Sequence, residues 1–206
     1  MRKPKIFPGT RSALGVGILF LVLSFAQAPA ARAETPSKFI TSLGDTAISV
    51  LVDATLTDEE RIRRFRVLLA ERFDLPLISR YVLGIYWRRA SAEQKDEYSV
   101  LFEDYLVNIY ASAIGRYGGE NLSIKSSHSV GKDTIVRTEV HGPRIPTLKI
   151  DWRIRGDAGN YKVVDIIVEG VSLVIIQRDQ FASVIRRAGG DIEGLLLELR
   201  EKSLVE

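Results

Sequence analysis

The chain has 206 residues, with 29 Lys and Arg against 26 Asp and Glu, two histidines and no cysteine. Five of the basic residues and none of the acidic ones fall in residues 1–33, so the remainder holds 24 basic against 26 acidic residues, a net of −2. That balance removes the basic surface a nucleic-acid binder needs, and the lack of cysteine excludes a disulfide framework, so an ordinary apolar core must hold the chain together.

At the N-terminus, Arg2, Lys3, Lys5 and Arg11 accompany an apolar run from Ala13 to Ala26, and Ala31-Arg32-Ala33 offers a small-residue cleavage site before Glu34. The pattern predicts a cleaved secretory signal over residues 1–33, cut after Ala33, and a single domain over residues 34–206. The apolar run is shorter than the roughly 20 residues that span a bilayer. No cysteine follows it to carry a lipid anchor.

The first part of the domain reads as helical. Thr35-Pro36 sets a capping residue before a first-turn proline, and Phe39, Ile40, Leu43, Ala47, Val50 and Leu51 follow at helical spacing. Thr57 and Glu60 have the spacing of a capping box ahead of Ile62, Phe65, Leu69 and Phe73, a helix that Pro76 is expected to end or kink. A short helix is predicted over Leu77–Tyr86, ending near Gly84. Ser91 and Gln94 then form a second capping box before a wide apolar stripe of Tyr98, Leu101, Phe102, Tyr105, Leu106, Ile109, Tyr110 and Ile114. Arg61, Arg63, Arg64 and Arg66 read as an exposed helix face, with docking to acidic partner surfaces as the alternative. Trp87 beside Arg88-Arg89 reads as half-buried, or as facing a headgroup or a partner.

The second part changes period. Leu122–His128, Thr134–Val140, Thr147–Arg155 and Lys162–Val168 read as four strands with short connections, which implies an antiparallel meander. In the third, Leu148, Ile150, Trp152 and Ile154 alternate with Lys149, Asp151, Arg153 and Arg155, giving one dry and one wet face. After Glu169-Gly170, where a glycine permits a tight bend, helices are expected at about Arg178–Ala188 and Asp191–Lys202. Helices followed by a meander predict an α+β domain.

Three stretches, FDLPLISRYVLGIYWRRAS (Phe73–Ser91), EYSVLFEDYLVNIYA (Glu97–Ala111) and VVDIIVEGVSLVIIQRDQF (Val163–Phe181), together with the Phe181-to-Leu195 tail, resemble in their order the MlaC-type, toluene-tolerance family of periplasmic phospholipid carriers. The resemblance implies an NTF2-like curved antiparallel sheet of about four strands, with N-terminal helices and two C-terminal helices enclosing an apolar cavity. It further implies a periplasmic, non-enzymatic carrier without cofactor. Such a carrier shuttles phospholipid as a monomer between an outer-membrane lipoprotein complex and an inner-membrane ABC transporter, contributing to outer-membrane lipid asymmetry. On that reading the dry face supplies the wall through Ile150, Trp152, Val164, Ile166 and Val168. Tyr105, Ile109 and Tyr110 line the facing helix, and Val171, Leu173 and Phe181 the rim.

Signals for chemistry are thin. His128 and His141 sit at strand ends without carboxylates at metal-ligand spacing, and Ser172 lacks the second glycine of a nucleophile elbow. Neither a catalytic nor a metal site is expected. Two alternatives stay open: carriage of hopanoid-type lipids, and a cup-shaped enzyme that uses Asp165 or Asp104 as a buried acid or base.

Overall fold

The structure is a computed structural model that describes residues 34–111, 118–157 and 159–203, without the side chains of Tyr110 and Ala111. The expected signal and its cleavage point lie outside those residues, as does Ile114.

Each helix starts where a side chain can take the free backbone N–H groups of its first turn. Helix α1 (Pro36–Val52) is capped by Thr35, with proline in its first turn, and α2 (Asp58–Arg72) by Thr57. Only half of the Thr57 capping box forms. The Glu60 amide donates to Thr57 Oγ1, but the Glu60 carboxylate turns outward to Arg63 and Arg64. These guanidiniums, Arg63 first, hold that carboxyl down at about 2.

Pro76 does not end α2. The chain leaves that helix at Phe73, and Asp74 caps α3 (Leu75–Leu83), placing Pro76 in the new helix's first turn, where its missing N–H costs nothing. Helix α3 stops at Gly84, whose φ of 59° and ψ of −121° suit glycine alone; an added Cβ would also stand 2.9 Å from Arg178 Nε. A 3-10 turn, Gly84–Arg88, leads to α4 (Ala92–Ala111). There the capping box is complete, with Ser91 N donating to Gln94 Oε1 at 3.0 Å and Gln94 N to Ser91 Oγ at 3.1 Å.

Strands β1 (Asn121–Val130), β2 (Asp133–Gly142), β3 (Ile145–Arg155), β4 (Lys162–Val168) and β5 (Val171–Ser172) form one antiparallel meander in chain order. β5 adds a short fifth strand to the expected four. It follows a two-residue turn, Glu169-Gly170, in which both residues have positive φ, as tight hairpins favour. Glu169 also accepts from Lys149 N through Oε1, and its own N–H donates to Lys149 O, so it extends the β3–β4 pairing one residue past Ile150 and Val168.

Ser172 then caps α5 (Leu173–Arg187), which begins five residues before the expected Arg178 because this serine's hydroxyl accepts from Ile175 N. Helix α6 (Glu193–Ser203) ends the described chain.

The register along the sheet shifts three times, once between Val140 and Gly142 where β2 turns into β3. In β1 the register shifts at Lys125, on the outer edge strand. In β4 it shifts at Val164: Asp165 faces Arg153 and Val163 faces Ile154, leaving Val164 as the extra residue of a bulge.

Buried side chains fall into two groups. One is helical and aromatic, built on Tyr98, Phe102, Tyr105, Phe181, Ile185 and the leucines of α6. Its rings stack or meet edge to face, with Phe181 5.4 to 6.3 Å from Tyr105, Phe102 and Tyr98. The Tyr98 hydroxyl donates to Ser79 O, and burial pushes its phenol pKa up. The other group lies between the sheet and the first two helices, and includes Phe39, Ile40, Leu43, Leu68, Val136, Ile154 and Val163. Phe73 packs against both groups and bridges to Val163, while Asp74 N donates to Val163 O.

Candidate functional site

Between the two buried groups lies a cavity of about 580 Å³. The sheet-side group gives it Leu43, Leu68 and Val163, and the helical group gives it Ile78, Val82, Phe102 and Tyr105. Gly44 and Ala47 on α1 keep that helix small where it faces the space. Among the described residues the lining is apolar apart from Glu120, Asn121, Asp165, Gln177 and Gln180, and it holds no Lys or Arg. Ile109, Asn121, Ile176 and Gln180 are the exposed members and mark the mouth.

The polar atoms in and behind this wall are mostly satisfied locally. Trp152 presents its ring to the cavity while its Nε1–H donates to Thr138 Oγ1 at 3.0 Å, and the buried Thr138 hydroxyl donates to Ile150 O at 2.9 Å. Asp165 accepts from Ser172 Oγ at 2.7 Å and from Val174 N at 3.3 Å, which ties β4 to the start of α5. Tyr105 donates to Gln177 Oε1 at 3.2 Å, whereas Gln177 Nε2 is buried and has no partner.

Of the side chains expected at the wall, Tyr105, Ile109, Trp152, Ile166 and Leu173 line the cavity. The Tyr110 side chain lies outside the described residues. Val164 is displaced by the bulge, which breaks the alternation and gives the cavity Val163 in its place. Ile150 and Val168 pair with each other one step beyond Trp152 and Ile166, half-buried and outside the lining. Val171 follows the β4–β5 turn and is exposed. Phe181 is a correction of a different kind: it points into the aromatic group rather than to a rim, being ringed by Tyr98, Phe102 and Tyr105.

Sequence reasoning also missed most of the helical half of the wall. Leu43, Phe65 and Leu69 carried a visible signal as helical stripes, but a stripe facing solid core and one facing a void have the same spacing.

The other candidates separate cleanly from the cavity. Asp104 is paired with Arg66 at 2.7 Å and is not in the lining. Of the α2 arginines, Arg63 and Arg64 are exposed and pair with Glu60 of their own helix, whereas Arg61 and Arg66 are a correction, since they fasten elements together. Arg61, only 13% exposed in its side chain, donates to Val50 O and Asp53 O, and Arg66 reaches Glu103 and Asp104 of α4. Trp87 is half-buried against Tyr98, with Lys95 over its ring. His141 lies within hydrogen-bonding distance of Thr147 and Ser123, and among the described residues no group of three or more His, Asp or Glu could hold a metal ion.

On the opposite face of the sheet, the buried Asp133 carboxylate receives Arg155 through two contacts and Arg153 through one. Arg155, seconded by Arg153, holds its carboxyl below the usual range against the opposing effect of burial.

The model of the family described as MlaC protein matches residues 41–201. Among curated relatives, the intermembrane phospholipid transport system binding protein MlaC of Haemophilus influenzae is 24% identical over 59% of this chain and 58% of its own. A toluene tolerance protein of Pseudomonas putida is 26% identical over 56% and 55%. The chain thus spans just over half the length of these relatives. A phospholipid-binding protein from Ralstonia solanacearum, solved in complex with a phospholipid, superposes with a TM-score of 0.69 at 22% identity, over 80% of this chain and 94% of that one. The two share a fold.

Proposed function

The chain belongs to the MlaC protein family, and from that premise we propose that residues 34–206 form a periplasmic carrier domain that shelters the acyl chains of a phospholipid. The observation that carries this reading is the cavity. It is largely apolar, its described lining carries no Lys or Arg, and at about 580 Å³ it falls within the roughly 300–1,000 Å³ typical of ligand pockets.

The physical need for such a cover is large. A diacyl lipid exposes on the order of 30 methylenes, and at about 0.8 kcal/mol each their transfer to water costs roughly 20 kcal/mol or more. A wall of Ile, Leu, Val and aromatic side chains removes that cost, and the polar residues at the mouth leave the headgroup near water.

On this reading residues 1–33 are removed during export. The domain, working as a monomer, takes phospholipid between an outer-membrane lipoprotein complex and an inner-membrane ABC transporter, which supports outer-membrane lipid asymmetry. An enzyme in a cup would need an acid-base pair in the cavity. Asp104 is held outside it by Arg66, and both carboxylate oxygens of Asp165 accept bonds at the β4–α5 junction.

The test is extraction of the purified protein with organic solvent and mass spectrometry of the extract. Diacyl phospholipid is the expected cargo. An extract without it, or one dominated by a hopanoid-type lipid, overturns the proposal.

A further inference from the structure

Among the described residues, buried side-chain nitrogen and oxygen atoms have partners with one exception, Gln177 Nε2. The rest of the interior is careful on this point: the Tyr98 hydroxyl, the Trp152 indole and the Asp133 carboxylate are all engaged. A buried amide nitrogen without an acceptor forfeits the bonds it makes in water, so a native fold retains one only where something else supplies the acceptor.

Gln177 stands one turn into α5 and lines the cavity beside Tyr105 of α4, to which it is hydrogen-bonded at 3.2 Å. Turning the amide over does not remove the deficit. With the phenol donating to Oε1, both hydrogens of Nε2 are unused; with Nε2 donating to the phenol oxygen, the phenol hydrogen is unused instead. In either arrangement the pair holds a neutral donor without an acceptor, on two residues that line the cavity.

We propose that this Tyr105–Gln177 pair is a specificity element that receives an acyl ester carbonyl oxygen of the bound lipid. The inference rests on the carrier reading above and names the group by which the cavity tells one lipid linkage from another. The chemistry selects this acceptor. A phosphate or a free fatty-acid carboxylate would bring a charge into a lining that, among the described residues, holds no Lys or Arg, which is costly without a counter-ion. Methylene chains accept nothing. The ester carbonyl is the neutral acceptor at the head of each acyl chain, where chain and glycerol meet. A site built to hydrogen-bond such a group discriminates against an analogue lacking it, because its own donor is then left unpaired.

Ether-linked lipids provide that analogue. Delipidated protein is offered mixed vesicles holding equal amounts of diacyl and dialkyl phosphatidylethanolamine of matched chain length, and the loaded species are counted by native mass spectrometry. The expected result is an ester preference of roughly tenfold in the natural protein, falling to near parity in Gln177→Met, whose thermal stability without lipid stays equal or rises. Tyr105→Phe, which keeps the ring, lowers the preference in part. Equal loading of both lipids by the natural protein, or an undiminished preference in Gln177→Met, overturns this inference and leaves the carrier reading standing. Failure to load either lipid overturns the carrier reading and this inference with it.

Discussion

The two buried groups of this domain are built from different materials. In the helical group aromatic rings from α4 and α5 contact one another in a closed set around Phe181, and the leucines of α6 seal it. In the sheet-side group the members are largely aliphatic, spread along α1, α2 and the dry face of the strands, and the space beyond them is the cavity. The contrast shows how a domain of this size keeps a void. A closed aromatic block carries much of the packing on one side, so the space between it and the sheet-side group can stay open.

The sharpest way to break the comparison is to truncate one residue on each side. Phe181→Ala removes a ring enclosed by three others and is expected to cost about 3–5 kcal/mol, read from urea unfolding. A loss under 1 kcal/mol would mean the block is looser than its geometry indicates.

Acid separates the two regions in another way. Asp133, with a side chain 1% exposed, ties the ends of β2 and β3 through Arg153 and Arg155. Its folded pKa is depressed, so its contribution is fully present above the unfolded value of about 3.9 and is lost as pH falls through the lower folded value. Hydrogen exchange below about pH 4 should therefore open β2 and β3 before the α4–α6 block. Glu97, also lowered by Arg200, adds little there because that pair is more than a third exposed. Asp133→Asn is expected to cost about 1.5–3 kcal/mol at neutral pH and to flatten this acid dependence.

On the wall itself, Ile166→Ala should cost only about 1–2 kcal/mol, below the usual range for a packed isoleucine, since part of its surroundings is already empty. A loss matching that of Phe181→Ala would show that the wall is as tightly supported as the block. The smallest effect runs the other way. Gly44 lies inside α1 with helical backbone, and an added Cβ would meet only Leu122 Cδ1 at 4.0 Å. Gly44→Ala is expected to raise stability by about 0.5–1 kcal/mol while narrowing the cavity and reducing lipid uptake.

How much of this was legible in the sequence follows from what periodicity encodes. Thr35-Pro36, Ser91 with Gln94, and the alternation in β3 each have a local physical cause, and each element formed where that cause predicts. The phase of β4 was not legible. A bulge at Val164 exchanges the residues facing inward, and Val-Val-Asp-Ile-Ile-Val reads as a strand in either phase. Nor could spacing distinguish Phe181, enclosed by rings, from Leu173, open to the void, since both sit on an apolar face of one helix. The small pair Gly44 and Ala47, one turn apart on α1, was the one available hint of space.

Helix α5 belongs to both regions, with Phe181 in the block and Leu173, Val174 and Gln177 on the wall. On the proposed carrier reading, occupancy and folding are therefore linked equilibria: cargo held at a hundred times its dissociation constant adds about 2.7 kcal/mol to stability. A protease that cuts only opened chains then reads the fill state of the population, and empty molecules are cleared before loaded ones.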